Sequence, residues 1–288
     1  MSDHFRVKPG KKFKLKDRDS ADTGGLESKQ EGKSRLEKGV KRMHELQERL
    51  YAQDRYSLLL VFQAMDAAGK DSTIEHVMSG VNPQGCQVYS FKQPSSEELD
   101  HDFLWRTNRC LPERGRIGIF NRSYYEEVLI VRVHQGILDG QRLPSQVIGP
   151  DIWKQRYQDI NAMERYLSRQ GTVIRKFFLN VSKEEQKKRF LARLDEPEKN
   201  WKFSVADAKE RQHWDRYMEA YEDAIEATST DEAPWYVIPA DHKWFMRMAV
   251  AEVIVQTLES LDLEFPVLSD EKRNELDQAR KLLEEEKG

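Results

Sequence analysis

The chain has 288 residues, 38% of them hydrophobic and 34% charged, with a formal net charge of −3. This size supports one large core with appendages, and no apolar run approaches the ~20 residues of a membrane-spanning helix. The start, MSDHFRVKPGKKFKLKDRDS, lacks the apolar stretch of a secretion signal, and two cysteines, Cys86 and Cys110, make neither a disulfide framework nor a zinc site.

A reducing cytoplasm is therefore the expected compartment, with no membrane or nucleic-acid partner. The near-neutral total hides local clusters, because basic residues crowd the first 20 positions and the stretch Lys183 to Arg193.

Residues 1–33 are charged and poor in aliphatic side chains, and read as an extended basic arm that a partner would order. From about Ser34 to Gln53, Leu36, Val40, Met43 and Leu50 recur at helical spacing. Short apolar runs then follow at SLLLVFQ (57–63), CQVYSF (86–91), RIGIFN (116–121), TVIRKFFLNV (172–181) and PWYVIPA (234–240). Longer segments of helical spacing separate them, including Phe103 to Leu111 and the run Trp153, Tyr157, Ile160, Tyr166. Five continuous apolar strands alternating with helices predict an α/β fold with a parallel five-stranded sheet covered on both faces. The main domain spans 34–268, with a lid at about 183–215, and 269–288 are expected to form a charged C-terminal helix.

The first strand runs into Ala64-Met65-Asp66-Ala67-Ala68-Gly69-Lys70-Asp71-Ser72-Thr73, and a helical pattern continues from there. Small residues let backbone N–H groups curl around an anion, the helix start adds favourable partial charge, and lysine reaches the outer phosphates. The usual phosphate-loop pattern has Gly at the position of Ala64 and Ser or Thr at that of Asp71. Asp66 puts a carboxylate beside bound phosphates, which suits either holding a divalent cation or orienting an attacking group.

A second strand end, Asn121-Arg122-Ser123, should emerge on the same rim of a parallel sheet. Arg122 suits the positive charge that phosphoryl transfer needs, and Glu126, four residues on, reaches the same cleft. After the fourth strand, KEEQKKRFLARLDEPEKNWK (183–202) puts Arg189 and Arg193 on one helix face with Lys188 beside it. This is the pattern of a lid whose arginines close over phosphates, with Asp195-Glu196-Pro197 as a stop and Asn200-Trp201-Lys202 as hinge and cap.

Several stretches in order resemble the polyphosphate kinase 2 family over about residues 35–262: QAMDAAGKDSTIEHVMSGVNPQG, SFKQPSSEELDHDFLWR, GRIGIFNRSYYEEV, DINAMERYL, RFLARLDEPEKNWKFS and APWYVIPADHKWFMR. The resemblance implies a three-layer P-loop kinase fold with a helical lid. It also implies reversible phosphoryl transfer between inorganic polyphosphate and ADP/ATP or AMP, using magnesium, with manganese as a substitute. Asp66, Lys70, Arg122, Arg189 and Arg193 match essential family positions, and Lys92 and Arg132 match positions lining the polyphosphate channel. Where the common pattern is Asp-Arg-Ser-Trp-Tyr-Asn, this chain has Asn121 and Glu126. Asn121 stands at the second metal position beside Asp66 but cannot supply a full charge to magnesium, and Glu126 resembles the subgroup that phosphorylates AMP as well as ADP.

Together these residues imply in-line transfer. Asp66 positions the metal, loop residues Ala67 to Ser72 with Arg122 grip phosphates, Glu126 organises either the metal or the acceptor, and Arg189 and Arg193 close from the lid. Two other readings share the fold: an ATP-dependent nucleoside or nucleotide kinase, and a non-catalytic phosphate or nucleotide sensor, for which Ala64 and Asp71 speak. The charged terminal segments leave room for a homodimer or homotetramer.

Overall fold

The computed structural model describes residues 2–202 and 204–286. Phe203 of the expected lid, residues 287–288 of the expected terminal helix and Met1 lie outside the described residues. The main elements are α1 (Lys29–Gln53), β1 (Ser57–Gln63), α2 (Lys70–Met78), β2 (Cys86–Ser90), β3 (Ile117–Asn121), α3 (Ile152–Arg169), β4 (Thr172–Asn180), α4 (Lys183–Asp195), α5 (Trp214–Thr228), β5 (Trp235–Pro239), α6 (Lys243–Glu259) and α7 (Asp270–Glu285), with shorter turns between them.

All five strands pair in parallel in the order β2-β3-β1-β4-β5. β1 lies at the centre, flanked by β3 (Phe62 opposite Asn121) and β4 (Phe62 opposite Phe177), and all seven of its residues are buried. That burial explains the unbroken apolar run SLLLVFQ, since a strand covered on both faces has no polar side.

Alternate residues of β4 show the two covering layers. Arg175 donates to the Thr257 hydroxyl of α6 at 3.0 Å, whereas Lys176 reaches Glu164 of α3 and Phe178 packs in a tilted pair with Tyr221 of α5. α1 packs along α6 on the first side. Gly32 makes that approach possible, because a Cβ there would sit 2.3 Å from the Trp244 ring. On the other side, the ammonium of Lys176 is wholly buried and bonds Glu164 at 2.6 Å, the Tyr125 hydroxyl at 2.9 Å and the Thr228 carbonyl at 2.7 Å. Glu164 in turn accepts from the hydroxyls of Tyr124 and Tyr125, so each buried charge is fully bonded.

The structure corrects the expectation of an extended N-terminal arm. Phe5, Val7, Phe13, Leu15 and Leu26 are buried in the main core, Phe5 packs edge-on against Phe245, and the Val7 N–H bonds the Trp235 carbonyl at 2.8 Å. These side chains are spaced irregularly and find their partners more than 200 positions away, so the segment needs the finished sheet rather than another protein. α1 also starts earlier than the spacing suggested, at Lys29, where the Ser28 hydroxyl accepts from the Glu31 N–H. The helical spacing from Phe103 to Leu111 yields only a short helix, Trp105–Asn108. α7 is exposed along its length. Among the described residues no helix is long and apolar enough to cross a membrane, and both cysteines are free, with burial pushing the Cys86 thiol up to about 11.

Candidate active site

β1 ends at Gln63, the chain turns through residues 64–69, and α2 begins at Lys70. The turn needs left-handed backbone at Ala67 (φ 61°) and Gly69 (φ 107°); the second is routine for glycine, and the first is a strained value for alanine. Lys70 Nζ donates to the Ala64 carbonyl at 2.7 Å and so closes the loop upon itself. The hydroxyls of Ser72 and Thr73 both donate to the Gly69 carbonyl.

The outer side of the loop is tied to α4. Gln186, almost fully buried, donates to the Asp66 carbonyl at 2.9 Å. Arg189 donates to the carbonyls of Ala67 (3.1 Å) and Ala68 (2.7 Å), to those of Ala240 (2.6 Å) and Asp241 (3.0 Å) beyond β5, and to Glu185 at 2.9 Å. With the Asp66 and Ala68 carbonyls held outward, their planar trans peptides turn the N–H groups of Ala67 and Gly69 to the opposite side, the orientation an anion requires.

Across the cleft, Arg122 also has positive φ (63°), and its N–H continues the sheet ladder to the Phe62 carbonyl at 3.0 Å. A residue just past the end of β3 held in this sparsely populated region is a local strain of the kind that gathers at functional sites. It aims the guanidinium back at the loop, where it meets the Asp66 carboxylate at 3.3 Å. Asn121 donates to Asp71 at 2.5 Å, a second link between β3 and the start of α2.

Glu126, in the turn Tyr124–Val128, faces the same cleft. The Gln63 amide, assigned the orientation that satisfies both its ends, donates to Glu126 Oε1 at 2.8 Å and accepts from the Ser123 hydroxyl and N–H. Burial raises the Glu126 carboxyl above its ordinary range, against the pull of Arg122 and Lys70. Burial likewise lowers the Lys70 ammonium, against Asp66 and Glu126. For Arg122 burial favours the neutral form, but Glu126 and Asp66 outweigh it and hold the guanidinium up. The Tyr221 hydroxyl of α5 is raised by burial and then by Glu126, so α5 backs this cluster. Two anions and two cations share one partly dry cleft at the carboxyl end of β1 and β3, an arrangement suited to gripping charged phosphates.

The structure thus brings Asp66, Lys70, Asp71, Asn121, Arg122 and Glu126 together on the loop Ala67–Ser72. It does not bring the remaining expected residues to them. Arg189, expected as a lid arginine over the phosphates, is instead buried behind the loop, with its guanidinium donors taken by carbonyls and by Glu185. Arg193, one turn on, lies 5.6 Å from the centre of the Phe190 ring. Arg132, expected in the polyphosphate channel, is engaged by Asp223 at 2.7 Å and the Tyr157 hydroxyl at 2.9 Å. The Lys92 side chain is exposed, and its carbonyl accepts from Arg106. Asn200 caps α4, donating to the carbonyls of Arg193 and Leu194.

Sequence reasoning missed Gln63, Gln186 and Tyr221. For Gln186 a signal existed: it stands three residues before Arg189 and so shares its helix face.

The family model for polyphosphate kinase 2 matches residues 26–266. An ADP-polyphosphate phosphotransferase of Rhodopseudomonas palustris is 55% identical over 280 residues, covering 97% of both chains. An AMP/ADP-polyphosphate phosphotransferase of Meiothermus ruber is 46% identical over 263 residues, 91% of this chain and 94% of its own. The crystal structure of polyphosphate kinase 2 from Arthrobacter aurescens superposes with a TM-score of 0.88 at 42% identity, covering 96% of this chain and 95% of its own.

Proposed function

The chain belongs to the polyphosphate kinase 2 family, and on that premise we propose that it transfers phosphoryl groups between inorganic polyphosphate and ADP or AMP. The observation that carries the reading is the contact of Asp66 with Arg122 at 3.3 Å. It joins the phosphate loop to the β3 end, so a phosphate chain and an acceptor phosphate have one shared set of charges between them. Lys70 and the loop amides hold the donor chain, Arg122 spans donor and acceptor, and Glu126 lies toward the acceptor. A phosphate oxygen of the nucleotide is already ionised near neutrality, so no strong general base is needed. The residues act by positioning and by charge.

The Asp66 side chain, 40% exposed, fits a magnesium ion, or manganese in its place. Among the described residues no group of three metal-ligating side chains exists. A hard cation held by one carboxylate, the Asn121 amide, water and substrate phosphates matches that donor set. Bound there, the ion offsets charge on the phosphate oxygens.

The names of these relatives do not favour an ATP-dependent nucleotide kinase or a silent sensor. The exposed α7 offers a surface for a homodimer or homotetramer, and a cytoplasmic location suits the substrates. The activity is tested by supplying ADP with polyphosphate as sole phosphate source and reading ATP. Formation that disappears in Lys70→Ala supports the reading, and no ATP from the unmodified protein refutes it.

A further inference from the structure

One polar side chain shapes the phosphate loop from behind, outside the cleft. Gln186 of α4 is buried and donates its amide N–H to the Asp66 carbonyl at 2.9 Å. The other end of the same amide accepts from the Arg211 guanidinium. Only this orientation bonds both ends, because the reverse would set oxygen against the Asp66 carbonyl and N–H against a guanidinium. Arg211 therefore fixes which end of Gln186 the loop meets.

Arg211 is itself held from two sides. Toward α4, both of its terminal nitrogens donate to the Lys183 carbonyl, at 3.1 and 3.2 Å. Along the chain it opens the turn Arg211–His213, which joins the short helix Val205–Glu210 to α5. Its neighbour Glu210 accepts from the Tyr217 hydroxyl of α5 at 2.6 Å and bonds His134 Nε2 at 2.5 Å. His134 follows closely on the turn Tyr124–Val128 that carries Glu126. Burial and the Glu210 bond raise the Tyr217 hydroxyl, and the charges of Glu126 and Asp66 add to the rise, so this end of α5 stands beside the cleft.

Arg211 thus joins the Glu126 side of the cleft, through Glu210, to the phosphate loop, through Gln186. The loop depends on such support. The Asp66–Ala67 peptide is planar, so pinning its carbonyl outward fixes the Ala67 N–H toward the anion side. Ala67 has a φ of 61°, a value that alanine keeps only where its surroundings impose it. Arg189 supplies that constraint at the Ala67 and Ala68 carbonyls. Gln186 supplies it at Asp66, the residue whose carboxylate meets Arg122.

We propose that Arg211 is a positioning residue for phosphoryl transfer: through Gln186 it holds the Asp66–Ala67 peptide, and so couples the seating of residues 204–213 on α4 to the shape of the phosphate loop. Its effect on rate rests on the proposed polyphosphate activity, whereas the coupling itself does not.

The test uses the full-length protein and two readouts. Hydrogen exchange of a peptide spanning 64–70 follows the loop with no substrate present. In Arg211→Met and in Gln186→Leu that exchange rises about tenfold, while exchange across β4 keeps its wild-type rate. Loop exchange unchanged in Arg211→Met overturns the coupling.

The second readout is ATP made from ADP and polyphosphate. Each single variant lowers kcat about tenfold, because a small displacement of a positioned group is costly in rate. The double variant loses no more than the worse single, since both act through one chain of bonds. Losses that multiply to about a hundredfold would place Arg211 directly on the phosphates and overturn the positioning role. Should Gln186→Leu not fold, Gln186→Glu takes its place, because it still accepts from Arg211 but turns an oxygen toward the Asp66 carbonyl. It loses about tenfold in kcat with Arg211 present, and a wild-type rate there overturns the relay. Absence of ATP from the unmodified protein would instead overturn the polyphosphate reading, with the exchange measurement still deciding the coupling.

Discussion

The carboxylate of Asp66 and the guanidinium of Arg122, 56 positions apart in the chain, meet at 3.3 Å across the mouth of the cleft. Both sit at strained turns: Asp66 directly precedes Ala67, which has positive φ, and Arg122 itself has positive φ. The sheet register that sets Phe62 opposite Asn121 puts the two turns side by side. The contact is solvent-accessible, with side-chain exposures of 40% and 43%, so by itself it adds little to stability. On the proposed reading, its significance lies in holding two charged groups where phosphates are to sit.

Arg122→Ala should therefore spare the fold and cost turnover. Loss of an arginine that stabilises a transferring phosphoryl group lowers kcat by about 10³. Arg122→Lys restores charge without the planar fork and recovers only part of it. Steady-state rates combined with unchanged thermal melting would support this. A coincident drop in melting temperature would show that Arg122 is structural.

Arg189 has the opposite signature. Arg189→Met leaves four backbone carbonyls and Glu185 short of donors, at a cost of about 3 kcal/mol or more. Urea unfolding should show that loss together with reduced activity. A normal midpoint with reduced turnover would return Arg189 to direct phosphate contact.

The buried pair beneath the sheet gives a third expectation. Lys176→Met strands Glu164 and should destabilise the protein by about 3–5 kcal/mol, whereas adding Glu164→Leu should restore much of it. Chemical denaturation of the two variants separates a stranded charge from a mere loss of packing.

Glu126 gives a pH prediction with a definite sign. Its folded-state pKa is raised, chiefly by burial, above the ordinary value of 4.5. Its contribution to stability is therefore full below that ordinary value and is lost as pH rises through the folded value. The stability of Glu126→Gln relative to wild type should accordingly increase from acid to neutral pH in parallel urea titrations. A constant difference would mean that Glu126 ionises in the native state as it does in water.

Glu126 also bears on acceptor choice. It is bonded to Gln63 and shares the cleft with Arg122, and on the proposed reading it serves the acceptor when the nucleotide phosphate chain is one unit shorter. Glu126→Asn should lower the AMP rate at least several-fold relative to the ADP rate. Unchanged proportions would remove it from substrate selection.

Much of this architecture is legible in the residues, and the exceptions share a cause. Each of the five apolar runs matches a strand to within two residues at either end; in β1, β3 and β5 near-complete burial leaves no polar alternation to confuse, whereas β2 at the sheet edge is only partly buried. Lys70 is legible for a similar reason, since strand, small-residue turn and helix are all local. Arg189 is misread because a basic helix shows its charges but not its acceptors, which come from residues 67–68 and 240–241. Phe5 and Val7 pair with α6 and β5, at distances no local pattern records. Gln186 and Gln63 look like ordinary polar residues until the carbonyl and carboxylate they serve are seen beside them.

The most direct measurement is product analysis with AMP and ADP offered separately, each with polyphosphate and magnesium and no other phosphate source. The account predicts ADP from AMP and ATP from ADP, with both lost in Asp66→Ala and in Arg122→Ala. Polyphosphate that binds tightly while neither nucleotide gains a phosphate would contradict it.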